Sequence, residues 1–245
     1  MKKIRLMMFV LSPLMIFCGI NKVKAQSVDS LKNQEKLVEK VLTPEERAKL
    51  SPDQILQQLK EGNERFRTNN STKRDHSAQI RNSAVGQYPK AVVLSCLDSR
   101  VPVEDVFDQG LGDVFVGRIA GNFVNQDLLG SMEFACKLSG AKLILVMGHQ
   151  HCGAIKGAID DVKLGNLTAL LAKIKPAVEY SKVFKGEKNT QNAAYVRFVA
   201  QNNVRLTLKN IREQSPILKE MEAKGEIKIV GAFYTLTKGE LIFLE

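Results

Sequence analysis

The chain has no tryptophan, only three histidines and only four cysteines in 245 residues. No two cysteines form a Cys-x-x-Cys pair, so a thiol redox motif is missing. Cys18 lies in an apolar run at the amino terminus, which leaves Cys96, Cys136 and Cys152. An odd set of three fits a disulfide framework poorly. Outside residues 6–20 no stretch is apolar enough to span a membrane. There is no internal repeat and no low-complexity segment, which excludes an array architecture. A large basic excess is also missing once the amino terminus is set aside. Residues 1–25 hold five basic and no acidic residues, so the rest of the chain carries 31 basic against 26 acidic. That is a lysine-rich, solvated surface, and a nucleic-acid partner is not expected.

The amino terminus reads as a secretory signal over residues 1–25. Lys2, Lys3 and Arg5 precede the apolar run from Leu6 to Ile20, and Val23-Lys24-Ala25 offers small residues for cleavage. The run is shorter than the roughly 20 residues a span needs, and it contains Pro13. Phe17 before Cys18 is too bulky for lipid attachment. The expectation is an exported, periplasmic protein with no membrane contact after signal removal. Residues 26–50 follow as a polar lead-in or arm, and residues 51–245 form one domain.

That domain alternates apolar runs with helical patterns. Ser51-Pro52-Asp53 opens a helix, with Ile55, Leu56, Leu59 and Phe66 on its apolar side. Further helices are predicted over residues 78–85, 101–107, 127–138, 153–161, 167–180, 190–214 and 216–224. Strands are predicted over residues 90–95, 113–118, 142–147, 227–233 and 240–243. The expected fold class is α/β: a mainly parallel central sheet covered by helices, with an amino-terminal helical arm and a last antiparallel edge strand.

Two motifs close two of these strands. Cys96-Leu97-Asp98-Ser99-Arg100 follows Ala91-Val92-Val93-Leu94, and His149-Gln150-His151-Cys152-Gly153 follows Leu143 to Gly148. Both sit at carboxyl ends of buried strands, the edge where open α/β sheets build their sites. Two thiols and one imidazole there make a three-ligand zinc site. Three protein ligands leave the fourth tetrahedral position open, which is the catalytic pattern. Either motif alone is a weak signal. Cys136, in a helical run, reads as a small buried residue.

Together the two motifs resemble the β-class carbonic anhydrases. Gly62-Asn63-Glu64-Arg65-Phe66, Gln87-Tyr88-Pro89, Gly112-Asp113-Val114-Phe115, Arg118-Ile119-Ala120-Gly121-Asn122 and Gly231-Ala232-Phe233-Tyr234 extend the likeness. The resemblance implies reversible hydration of carbon dioxide to bicarbonate by a zinc-bound hydroxide. Cys96, His149 and Cys152 would hold one Zn2+ per chain. Asp98 and Arg100 would be a catalytic dyad, with Arg100 forking onto Asp98 to aim it. In the family this aspartate can also swing onto zinc. Gln87 would donate to substrate oxygen, and Phe115, Ala120 and Phe134 would line an apolar pocket. Gly153 would let its amide approach the substrate oxyanion. Phe134 stands where relatives have tyrosine. A second copy of the chain would complete the pocket, in a homodimer or higher even oligomer. His151 reads as solvent-facing, with proton shuttling as the sharper alternative.

The closest rivals are hydrolysis of carbonyl sulfide or carbon disulfide at the same metal, a thiol redox protein, and a zinc-stabilised binding module. An intact Asp98–Arg100 pair weighs against the last. Some relatives carry a second, inhibitory bicarbonate site built on a tryptophan, an arginine and a tyrosine. Here the tryptophan position is Val93, while Arg118 matches the arginine.

Overall fold

The computed structural model describes residues 37–244. The signal reading for residues 1–25 and the first part of the lead-in lie outside them. The described chain opens with helices α1 (Pro44–Lys49), α2 (Pro52–Arg67) and α3 (His76–Ser83). Next come β1 (Ala91–Ser95), α4 (Val103–Val106), β2 (Val114–Arg118), α5 (Gln126–Glu133), a π turn over Phe134–Leu138 and β3 (Leu143–His149). The carboxyl half adds α6 (Gly153–Ile159), α7 (Gly165–Ala172), α8 (Lys175–Tyr180), α9 (Ala193–Gln214), α10 (Pro216–Ala223), β4 (Lys228–Thr235) and β5 (Glu240–Leu244).

The strands form one sheet in the order β2-β1-β3-β4-β5. The first four run parallel, and β5 pairs antiparallel with β4. β1 and β3 lie at the centre and are buried at every residue. Period-two alternation sends their side chains to two cores. Val92, Leu94, Ile144 and Val146 face α5, α9 and α10, where Val204, Leu208, Ile211 and Leu218 pack. Ala91, Val93, Leu143, Leu145 and Met147 face α2 and α4, through Ile55, Leu59, Val103 and Val106. A parallel sheet covered on both faces explains why these strands read as unbroken apolar runs. Each fully buried leucine such as Leu145 adds roughly 2 kcal/mol by leaving water. Gly148 lets α9 approach the sheet, because a Cβ there would stand 2.7 Å from Val204 Cγ2.

The structure departs from the expected elements at two places. Residues 167–180 were expected as one helix but form α7 and α8, broken at Lys173-Ile174. Pro176 sits in the first turn of α8, where its missing N–H cannot continue the α7 ladder. The break turns Ile174 fully inward. The helix expected over residues 127–138 ends as the π turn, with Ser139 N bonding Phe134 O at 2.9 Å. The lead-in from residue 37 onward is docked on its own domain. Val38 forms an isolated parallel bridge with Arg74, Arg47 donates to Ser139 O, and Lys142 Nζ donates to Ala48 O and Leu50 O at 2.9 and 2.7 Å.

Candidate metal centre

The register of the sheet brings the two motifs together. β1 and β3 are neighbours with Ser95 opposite Met147, so Cys96 and His149 leave the same sheet edge side by side. His151 then takes a positive φ of 55°, which folds the chain back and delivers Cys152 to the start of α6. His151 itself is exposed. The Sγ atoms of Cys96 and Cys152 are 3.8 Å apart, and the three ligand atoms of Cys96, His149 and Cys152 lie within 4.8 Å of one another. All three residues are buried.

The donor set fits zinc. Two thiolates at about 2.3 Å from one tetrahedral zinc would stand about 3.8 Å apart. His149 Nδ1 faces the Gln150 carbonyl oxygen at 2.9 Å. A carbonyl only accepts, so Nδ1 carries the proton and Nε2 presents its lone pair. That Nε2 is buried and has no hydrogen-bond partner, an orphan a metal would satisfy. The two thiols share a proton unequally. The hydrogen bond from Cys152 holds the Cys96 thiol down to about 4 against burial, with help from His149 and the Gly121 amide. The same bond and burial push Cys152 up, while the Ala154 and Ile155 amides pull it down. A bound metal would take both sulfurs as thiolates, displacing that proton.

Asp98 stands beside this cluster. Arg100 Nε and N donate to its Oδ1 at 2.9 Å each, and Nη2 donates to Oδ2 at 2.7 Å. These bonds hold the carboxyl down to about 2, against partial burial. Asp98 Oδ2 is 3.8 Å from His149 Nε2, near the metal position but bonded to Arg100.

Three supports were not assigned to the site from sequence. Arg118 donates to the carbonyls of Cys96, Asp98 and Val101 at 3.0, 2.6 and 2.9 Å, and so fixes the loop that carries Asp98 and Arg100. Gly121 N donates to Cys96 Sγ at 3.3 Å. Its φ is 85°, and a Cβ there would stand 2.4 Å from Ile174 Cδ1, so both backbone and packing demand glycine. Asn203 Nδ2 holds the Gly121 carbonyl at 2.7 Å. Its signal was a buried amide on the apolar side of α9.

The expected substrate residues divide. Ala120 and Gly153 adjoin the cluster, next in sequence to Gly121 and Cys152. A Cβ on Gly153 would meet nothing within 4 Å, so packing within the chain does not require glycine there. Gln87 is exposed in a surface groove with Ile80, Val85 and Leu111. Phe115 and Phe134 meet edge to face at 6.2 Å and line a cleft of about 200 Å³ beside Val92 and Leu128. No metal ligand lines that cleft or that groove.

The family model described as carbonic anhydrase matches residues 91–241. Carbonic anhydrase 2 of Mycobacterium tuberculosis is 37% identical over 190 residues, covering 75% of this chain and 88% of the relative. A tetrameric β-carbonic anhydrase of Sordaria macrospora superposes with a TM-score of 0.60 at 28% identity, covering 67% of this chain and 85% of that one. A Coccomyxa β-carbonic anhydrase, solved with acetazolamide, gives 0.61 at 26% identity over 69% and 77%. The match spans the sheet and both motifs, and the geometry of the motifs agrees with it: the chain belongs to the β-class carbonic anhydrases, zinc enzymes that interconvert carbon dioxide and bicarbonate.

Proposed function

We propose that Asp98 and Arg100 work as one unit that orients the nucleophile for carbon dioxide hydration. Zinc held by Cys96, His149 and Cys152, one per chain, would supply a Lewis acid that acidifies water near neutral pH. Asp98 stays ionised across the working range, so it can only accept hydrogen bonds. It would accept a hydrogen bond from the attacking nucleophile and so leave one of that nucleophile's lone pairs aimed at carbon. Arg100 fixes the direction of the carboxylate through three hydrogen bonds, and Arg118 fixes the backbone beneath it. The observation that carries this reading is the 3.8 Å from Asp98 Oδ2 to His149 Nε2 with both carboxylate oxygens already bonded to Arg100. Asp98→Asn tests it. The variant should keep its zinc by elemental analysis and lose about 10²-fold in stopped-flow hydration. Turnover like the parent would rule the dyad out.

The substrate pocket is proposed to form between two copies of the chain. Gln87, Phe115 and Phe134 lie away from the metal ligands of their own chain, and Val85, Phe134 and Leu138 are 93%, 50% and 77% exposed. A second copy would cover them and bring these residues to its own metal centre. We also propose that residues 1–25 direct export to the periplasm, which cell fractionation tests: recovery of the protein in the cytoplasmic fraction would rule it out.

A further inference from the structure

Helix α9 buries two polar side chains one turn apart, Asn203 and Thr207, among Val199, Ala200, Val204 and Leu208. A buried amide is costly unless it is hydrogen-bonded. Asn203 Nδ2 spends its bond on the Gly121 carbonyl at 2.7 Å. The Thr207 hydroxyl has one hydrogen, and its nearer acceptor is Asn203 O at 2.8 Å, with Asn122 O at 3.3 Å. Gly121 and Asn122 are two successive residues in the left-handed region, with φ of 85° and 41°. Such backbone persists only where its surroundings hold it. The same turn sends the Gly121 amide to Cys96 Sγ at 3.3 Å. The other two ligands find their partners close by in sequence. Cys152 is served by the Ala154 and Ile155 amides of α6, and His149 Nδ1 by the Gln150 carbonyl. The amide at Cys96 comes from 25 positions away, on a turn that α9 steadies.

We propose that Asn203 is a positioning residue of the metal centre: it clamps the left-handed turn so that the Gly121 amide stays aimed at the Cys96 sulfur and sets how strongly that sulfur donates to a metal. A carbonyl only accepts, so the Asn203 side chain must present its NH₂ to Gly121. An N–H on a thiolate sulfur draws charge from it, and the metal keeps more of its Lewis acidity. Outer partners of metal ligands tune a site in this way. Gly121 cannot be replaced to supply the same contact, because a Cβ there would stand 2.4 Å from Ile174 Cδ1 and 3.4 Å from Ala154 Cβ. The turn is therefore held from α9 on one side and by packing on the other. This role rests on the metal assignment of Cys96, His149 and Cys152 and is independent of the roles given to Asp98 and Arg100.

The test loads the full chain with Co²⁺ and reads the thiolate-to-cobalt charge-transfer band, which reports sulfur donation whether or not the enzyme turns over. Asn203→Ala, and Asn203→Leu, which fills the space without a donor, should move the band to longer wavelength, because a sulfur relieved of its N–H gives up charge more readily. With zinc, the same variants should lose roughly tenfold in hydration rate, the lower end of what losing an outer partner of a metal ligand costs. Thr207→Val removes a buried hydroxyl one turn along α9 that does not touch Gly121. It should lower the melting temperature and leave the band in place. A band unmoved in the Asn203 variants, or moved equally by Thr207→Val, overturns the proposal. No band in the parent would remove the metal centre itself, and this role with it. A second measurement needs no variant: with ¹¹³Cd in the parent, the Gly121 amide proton should couple to the metal through the N–H···S bond, and absence of that coupling overturns the proposal as well.

Discussion

Among the described residues two aspartates are clasped by arginine, and they stand in opposite settings. Asp108 has a side chain with no exposed surface and accepts from Arg65, Arg74, and both the amide and hydroxyl of Thr72. Both carboxylate oxygens are satisfied inside the chain, and the cluster ties the loop before α3 to the end of α4. Asp98 is clasped by a single arginine that is 55% exposed, and it faces an imidazole nitrogen with no partner. A closed ionic cluster holds structure together. An open one, beside an unsatisfied ligand atom, is where an outside reactant completes the bonding. The Asp-Arg pairing is common to both, so what separates them is whether the accounting of donors and acceptors closes without a ligand.

The largest effect should come from breaking the open cluster at its metal. Cys96→Ser replaces a thiolate with a far poorer ligand. Zinc content by elemental analysis should collapse, with hydration falling to near the uncatalysed rate. Full occupancy in that variant would remove Cys96 from the ligand set.

The closed cluster should fail differently. Asp108→Asn leaves Arg74, 13% exposed, without its counter-charge in a buried setting. The expected loss is on the order of 3 kcal/mol of unfolding free energy, read by urea denaturation, with normal turnover in the folded fraction. Asp98→Asn should cost less than about 1 kcal/mol, as an exposed pair does. Equal costs would erase the distinction. For Asp108, burial opposes ionisation, but hydrogen bonds from Thr72, Arg65 and Arg74 outweigh it and hold the carboxyl below its ordinary value. A depressed carboxyl stabilises the fold above the unfolded value near 3.9 and loses that contribution as pH falls through the folded one. The parent should therefore lose more stability than Asp108→Asn as pH drops below about 4.

Arg118 belongs to neither cluster but braces the open one from below. Arg118→Ala should retain zinc and lose about tenfold in hydration rate, the scale of one charged hydrogen bond. Loss of the metal as well would show that the brace holds Cys96 rather than Asp98.

The frame and the metal ligands were legible because their signals are local. An apolar run ending in Cys-x-Asp-x-Arg or His-x-x-Cys states both the strand and the edge it reaches. The supports were not legible, because each joins distant segments. Nothing near Asn203 announces that its amide reaches Gly121, 82 positions away. Gly121 was visible as part of a likeness but not as a donor to sulfur. Pro176 did mark the break between α7 and α8, yet the apolar spacing from Leu167 to Tyr180 masked it. Gln87 and Phe134 were placed with the substrate by resemblance, and one chain alone does not bring them to the metal.

The smallest expected effect concerns bicarbonate as a regulator, and it asks whether Arg118 has anything left to offer a ligand. Its guanidinium is spent on the carbonyls of Cys96, Asp98 and Val101. Val93, at the position where some relatives place a tryptophan, is fully buried in the core shared with α2 and α4. An anion bound beside Arg118 would have to displace those carbonyls and would find no indole N–H. One missing hydrogen bond in a buried site costs about 1–3 kcal/mol, and breaking the loop brace adds to it. Inhibition by bicarbonate should therefore follow a simple hyperbola, and Arg118→Lys should change its slope little. A sigmoidal curve in the parent that becomes hyperbolic in Arg118→Lys would show that the brace is also a switch, and that the open cluster can be closed from within.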